Sequence, residues 1–457
     1  MKVHPSFLVS DYLLWALVVA VLVYVVYVCK NRHLLESWSL IAKNSITMVA
    51  VVVFCFYFFI CLLDSIHLRI DSKSYSRDQV SVLDLVLPSH MVQSETTYSA
   101  PLSQSLYVKS LLSDHAGNSY RGHALLLGNK ARLSTKSLRI RQSLLILEGV
   151  IIGLALGLFC HILFLIIFSY KKNISIWSCF NNIWQGKTRF ALKSFWLTMF
   201  GCFIVLSVMF LLSINYHVMG TTQVGVDVLY ETLKSIRTGI VIGTFTTVFM
   251  LPFALVLGSM AGYFGSIYDD VIQYIYITLS SIPGVLLISA VILVMQVYIN
   301  QHAELFPTVS MRADIRLIAL CIVLGITSWA TLCRLIRAET LKLKQMDYVA
   351  AAKTQGVKPI SILFKHILPN VMHIVIITVV LDFSSLVLAE AVLSYVGVGV
   401  DPSTFSWGNM INSARLEMAR EPVVWWPLLS AMLVMFGLVL SANLLADSVR
   451  DAFDPKH

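Results

Sequence analysis

The chain has 457 residues, of which 57% are hydrophobic and 13% charged, and a formal net charge of +9. Apolar runs of about 18 to 25 residues match the thickness of a bilayer core, which makes this an all-α polytopic membrane protein. The basic excess lies beside those runs, as the positive-inside rule requires, so it gives no ground for nucleic-acid binding.

Nine spans are expected, near residues 11–29, 45–63, 144–169, 194–213, 236–262, 271–299, 315–336, 370–395 and 426–447. The first has a long apolar region, no basic start beyond Lys2 and no small-x-small cleavage site, and reads as a retained anchor rather than a signal peptide. Arg334, Arg337, Lys342, Lys344, Lys353, Lys358 and Lys365 assign the stretch between the seventh and eighth spans to the cytoplasm. Counting back puts residues 64–143 outside, and residues 170–193 and the C-terminal tail inside. Lys130, Arg132, Lys136, Arg139 and Arg141 run against this at the external entrance of the third span, although long loops obey the charge rule poorly.

The 64–143 loop interleaves serine, threonine and charge; it is either a contact for a partner or a partly ordered spacer, and the spacer is preferred. In the third span, Gly149, Gly153 and Gly157 form a GxxxGxxxG ridge, read equally as a helix-packing face or as ordinary glycine usage. Pro252 and Pro283 are expected to kink the helices that contain them. The eight cysteines lie in or beside apolar spans and suggest neither a disulfide framework nor a thiolate site. None of the twelve histidines has ligand spacing to carboxylates, so no metal and no cofactor is expected. No GxxxxGK[ST] phosphate loop occurs, so any ATP that drives the protein is bound by another chain.

Residues 347–370, DYVAAAKTQGVKPISILFKHILPN, form a polar island between two apolar runs. Asp347 is expected to N-cap a helix in which Ala350, Ala351 and Ala352 supply propensity and a face with little bulk. Gly356 suits the left-handed position that ends it, and Pro359 opens the next helix. On pattern alone this is equally a docking surface or a plain helical hairpin. Further on, Asp382 and Glu390 are ionisable groups on one span. Glu390 falls near the outer interface and reads as structural; Asp382 is deeper and is the better pathway candidate.

Ala350-Ala351-Ala352, Gly356 and His366-Ile367-Leu368-Pro369-Asn370 follow the spacing of the EAA loop of ABC importer permeases. Glu390–Gly399, Ser406-Trp407-Gly408-Asn409-Met410 and the Asn443–Pro455 tail resemble the EAxLSFLGxG, SWGNM and NLLGDxLRDxLDP segments of the dipeptide, oligopeptide and nickel importers. Ala261–Gly265 and Ser281-Ile282-Pro283 are similar to the AGYFGG and SIP elements of that family. The order is that of the C-type permease subunit, over about residues 215 to 457.

The resemblance implies a type I ABC importer permease core at 191–457, with a cytoplasmic coupling loop at about 337–369. Residues 1–190 would be an N-terminal region with additional helices and the large outer loop. It implies a multi-pass permease of the inner (plasma) membrane, C-terminus inside, without enzymatic chemistry, importing peptides or similar small solutes. Its partners would be a second permease, two ABC ATPase subunits and an extracytoplasmic substrate-binding protein. Asp347, Ala350, Ala351, Ala352, Gly356, His366, Leu368 and Pro369 would couple to the ATPase, with Asp382, Glu390 and Pro283 as pathway or gate candidates.

Two departures stand out. Ala350 replaces the glutamate that names the EAA motif. His217–Leu229 resembles HPLGTDxxGRDVL with Val218, Thr222 and Val226 in place of the proline, the first aspartate and the arginine, so a charged pair is expected to be missing there. The first core helix is either the 194–213 span or, preferred, the 45–63 span, because Leu85–His90 faintly resembles the LxPPSxxH stretch of the family. In the latter case 144–169 and 194–213 form an inserted hairpin. Competing functions are a stand-alone secondary transporter or channel, and a membrane scaffold built on a degenerate permease.

Overall fold

A computed structural model describes residues 3–5, 7–70, 80–113, 119–126, 135–173, 175–188, 190–306 and 308–453. Lys2, Lys130, Arg132, Asp454 and Pro455 lie outside them. The chain opens with β1 (Val3–Pro5), then α1 (Val9–Lys30), α2 (Arg32–Ile41) and α3 (Ser45–Asp64). The outer region carries β2 (His67–Ile70), β3 (Val80–Ser81), α4 (Val82–Val86), α5 (Ser89–Val92), β4 (Ser110–Ser113) and β5 (Ser119–Gly122). Next come α6 (Thr135–Lys172), α7 (Ile176–Trp184), α8 (Leu192–Ser213), α9 (Val228–Phe264), α10 (Ser266–Ser281) and α11 (Gly284–Gln301). The chain closes with α12 (Val309–Leu343), α13 (Asp347–Thr354), α14 (Pro359–Ile362), α15 (Leu368–Tyr395), α16 (Trp407–Glu417) and α17 (Trp426–Phe453). Among the described residues, nine helices are long and apolar enough to cross a membrane.

Each expected span has a helix, with one change of architecture. The 271–299 span is two helices, α10 and α11, separated at Ile282 and Pro283, so Pro283 starts a new helix instead of kinking one. Ile282 is extended (φ −85°, ψ 130°), the conformation the proline ring imposes on the residue before it. Pro252 does lie inside α9.

Two compact units share the chain. One comprises residues 1–7, 18–237 and 405–444, the other 8–17, 238–404 and 445–457. In the first unit α6 and α8 form a hairpin zipped along the glycine ridge. A Cβ at Gly153 would stand 2.6 Å from the Ile204 Cα, one at Gly149 2.7 Å from the Val208 Cα, and one at Gly157 would strike the Phe200 ring. The ridge is therefore a packing face that α8 occupies, since only glycine permits so close a helix approach. Helix α3 packs on α8, and Tyr57 donates its hydroxyl to the Val434 carbonyl of α17 at 2.9 Å.

In the second unit α9 and α12 share a core that includes Met250, Ala254, Ala261, Trp329, Cys333 and Ile336. The same core takes in Val349 and Ala352 of α13 and Ile362, Leu363 and Ile367 of the segment after it. The first turns of α1 belong here as well: Ser10 N–H donates to Asp314 Oδ2 at 3.1 Å.

Candidate coupling loop and outer polar cluster

Helix α13 is short because its end is written into its sequence. Gly356 N–H bonds the Lys353 carbonyl and Val357 N–H reaches back to the Ala352 carbonyl at 3.2 Å, the paired bonds of a Schellman stop. Gly356 holds φ +76°, where a side chain would be strained, and a Cβ there would meet nothing within 4 Å. Backbone conformation alone thus demands glycine.

The start of the helix differs from the expectation. Met346, extended at ψ 146°, is the N-cap residue, and its carbonyl accepts from Val349 and Ala350. Asp347 is the first residue inside, where its charge still complements the helix N-terminus. Capping is decided by the angle at which the chain leaves α12, and that angle is absent from local composition.

Around this short helix the alanines divide. Val349 and Ala352 are buried in the core, whereas Asp347, Ala350, Ala351 and Gly356 are exposed. The outward face has almost no side-chain bulk, and the inward face fixes it to α12 and α15. Beyond Pro359, the first residue of α14, the chain widens into a π turn over Leu363–Ile367. Pro369 follows at once; lacking an N–H, it cannot close an ordinary α turn, and the wide turn places Leu368 N–H on the Leu363 carbonyl instead. The carbonyl of His366 accepts from Asn370 Nδ2 at 2.7 Å, and the same amide donates to Tyr348 Oη at 3.1 Å, tying α13 to α15. Leu368 lines a cavity of about 290 Å³ with Leu363, Phe364, Met260, Phe264 and Tyr268.

Arg337 on α12 clamps Asp269 of α10 through two parallel bonds, Nε to Oδ1 at 2.5 Å and an Nη to Oδ2 at 2.6 Å. Those bonds hold the Asp269 carboxyl below the usual carboxylate range against the opposing effect of burial.

The pathway candidates do not gather at one point. Glu390 is 1% exposed and accepts the Ser394 hydroxyl at 2.7 Å, an arrangement suited to a structural role. Asp382 is half-buried on α15. Pro283 is exposed at the α10–α11 break.

The first unit carries a second polar arrangement, which the sequence did not reveal. His217 Nδ1 lies 2.6 Å from Asp227 Oδ2, its Nε2 lies 3.5 Å from Glu95 Oε1, and the His90 ring packs edge-on at 5.5 Å. Burial works against a charge on His217, but the hydrogen bonds to Asp227 and Glu95 outweigh it and lift the imidazole to about 9. His90 moves the other way, lowered first by burial and then by the charge on His217.

One helical turn further on, Tyr230 donates its hydroxyl to Asp84 Oδ1 at 2.9 Å. Lys234 Nζ stands 2.9 Å from Asp84 Oδ1 and 3.2 Å from Asp64 Oδ1. Asp84 also closes a capping box with Ser81. Burial would raise its carboxyl, yet the Lys234 ammonium and the bonds from Lys234, Ser81 and Tyr230 hold it low.

The segment with the substituted HPLGTD-like motif is therefore rich in paired charge. His217 and Asp227 are the retained ends of that motif, and they pair with each other. Residues 80–113 dock on it, against the expected spacer: Ser99 and Thr221 exchange backbone and side-chain bonds, Glu95 N–H donates to the Gly225 carbonyl at 2.8 Å, and Leu102 N–H to that of His217 at 3.0 Å. Gly225, at φ +76°, lets the turn press directly against the Glu95 backbone. Trp426 Nε1 donates to the Thr221 carbonyl at 3.0 Å while Tyr107 packs edge-on against its ring. Trp407, of the SWGNM-like segment, bonds the Thr232 carbonyl of α9. Among the described residues no group of His, Cys, Asp and Glu is arranged to hold a metal ion.

A family model described as the binding-protein-dependent transport system inner membrane component matches residues 254–457. The oligopeptide transport system permease protein OppC of Bacillus subtilis is 31% identical over 241 residues, covering 52% of this chain and 72% of that protein. The chain belongs to the binding-protein-dependent transport permease family. The permease is also 31% identical over 240 residues to the glutathione transport system permease protein GsiD of Pectobacterium atrosepticum, over 52% of this chain and 73% of that one. To the dipeptide transport system permease protein DppC of Alkalihalophilus pseudofirmus it is 32% identical over 241 residues, with shares of 52% and 72%. It is a multi-pass transmembrane permease subunit of an ABC importer in the inner membrane. The matched residues 254–457 contain the whole of the 347–370 loop.

Proposed function

We propose that this permease carries peptides or similar small solutes inward, and that its 347–370 loop seats on an ABC ATPase subunit that supplies the nucleotide chemistry. The exposed alanine face of α13, rooted through Val349 and Ala352 in the core that α9 and α12 share, carries the reading. A rigid, bulk-free helix is what a cleft in a partner can grip, and its buried side transmits the displacement to the long helices. Asp347, Ala350, Ala351, Ala352, Gly356, His366, Leu368 and Pro369 form this coupling element. With Ala350 in place of a glutamate, contact rests on shape and backbone approach. A second permease completes the pathway and an extracytoplasmic binding protein delivers solute. The coupling loop and the C-terminus face the cytoplasm, and the 64–143 loop faces outward. Asp382 is the pathway group, and α3 is the first core helix, supported by Asp64 at its end pairing with Lys234 of α9.

The test is co-purification. Gly356→Val and Ala351→Asp are expected to release the ATPase while the permease remains inserted, and solute uptake by the intact complex is expected to require ATP. Undiminished ATPase recovery with both variants sinks the coupling assignment. Uptake without ATP would instead favour a stand-alone transporter.

A further inference from the structure

Sequence near one end of the first unit is strongly one-sided in charge. Residues 30–43 hold Lys30, Arg32 and Lys43 against Glu36, and residues 171–193 hold Lys171, Lys172, Lys187, Arg189 and Lys193 with no acid. These two stretches meet in the fold, because Ala191 N–H donates to the Ala42 carbonyl at 3.0 Å where α8 and α3 begin. Lys30, Lys43, Lys171, Lys187 and Lys193 are all exposed there.

Each stretch contains a short amphipathic helix that does not span. Helix α7 buries Cys179 and Ile183 against α6 and α8. His161 of α6 anchors it from within: its ring packs edge-on at 4.5 Å from Trp196, and at 6.0 and 6.4 Å from Phe180 and Trp184. With that face fixed, Ile176 and Trp177 are left pointing outward, Trp177 75% exposed, and Tyr170 at the end of α6 is 88% exposed. Helix α2 is held in the same way, with Trp38 edge-on to Tyr24 and Ile41 buried while Leu35 and Leu40 are exposed.

An aromatic and aliphatic face ringed by lysines is the composition of a helix lying in the bilayer interface, where the apolar side enters the acyl boundary and the cations meet lipid phosphates. We infer that α2, α7 and the lysines around them form a lateral platform that binds anionic glycerophospholipid headgroups in preference to zwitterionic ones. Charge complementarity selects the occupant, since five exposed lysines face a single acid. The inner-leaflet location shares the topology proposed above; the lipid preference does not depend on it or on transport.

The test uses the full-length permease in nanodiscs of phosphatidylcholine with added phosphatidylglycerol, brominated on one lipid or the other. The signal is the tryptophan quenching of the wild type minus that of Trp177→Phe. Brominated phosphatidylglycerol is expected to quench Trp177 in excess of brominated phosphatidylcholine. That excess should fall by about fivefold per lysine neutralised in Lys171→Gln, Lys187→Gln and Lys193→Gln, be preserved by the matching arginine substitutions, and weaken with salt. Free glycerol phosphate should leave it unchanged. Equal quenching by the two lipids overturns the inference, as does loss of the excess to glycerol phosphate, which would mark a soluble-anion pocket. Where a variant does not fold, the salt series on the wild type is decisive by itself, because a salt-insensitive excess also overturns the inference.

Discussion

His217 is held between two carboxylates and beside a second imidazole, and its charge state decides whether that arrangement is favourable. The fold prefers its protonated form, so the stabilisation is complete below its ordinary value of 6.5 and disappears as pH rises through about 9. The span corresponds to roughly 3 kcal/mol. Thermal unfolding of the purified permease between neutral and alkaline pH should show that decline, and His217→Gln should flatten it; an identical decline in the variant refutes the assignment. Asp382→Asn should reduce uptake with little change in stability, whereas Glu390→Gln, altering a buried acceptor of Ser394, should lower the melting temperature first, which a paired uptake and unfolding measurement resolves. Gly356 was legible from sequence because a left-handed residue after an alanine helix has one chemical solution. The partners of His217 were not, because Glu95 lies 122 residues away and only the docked outer segment brings it near.

Among the elements, the α6–α8 hairpin gives the sharpest expectation. Gly153→Val would drive a branched side chain into the Ile204 backbone and should cost about 2 kcal/mol or more, seen as lower thermal stability and folded yield in detergent. Gly201→Ala, on α8 where a Cβ meets nothing within 4 Å, is the matched control and should be neutral. Long helices were readable in sequence because twenty apolar residues have few alternatives in a bilayer. Helices α4 and α5 were not, being too short to show a period, and α2 and α7, though amphipathic, fall in the polar stretches between spans. The α10–α11 break was read as a kink, since a proline in an apolar stretch allows either and only the backbone at Ile282 decides.

For the molecule as a whole, the expectation is a fixed topology. A cysteine at Ser119 should label with impermeant reagent from outside in intact cells, and one at Ala351 only after the membrane is opened; cytoplasmic reactivity at Ser119 refutes the arrangement. Lys136, Arg139 and Arg141, which seemed to contradict it, lie in the first turns of α6, and Arg141 already bonds Asn215 at 3.3 Å. The spacing of residues in the 347–370 loop and the tail made the family legible. The N-terminal part lay beyond that template, and its organisation came from tertiary contacts.

Residues 80–113 dock on the 217–227 loop, and this orders events in biogenesis. Ser99 reaches the membrane 122 residues before the Thr221 that completes its hydrogen bonds. At ordinary ribosome speeds that interval is roughly 6 to 24 s, during which α6 and α8 must enter the bilayer first. Throughout it, Asp84 lacks the Lys234 ammonium and Glu95 lacks the His217 imidazole that each meets in the finished fold. Nascent chains arrested before His217 should therefore be open to external protease in this segment, and chains released after Lys234 should be closed.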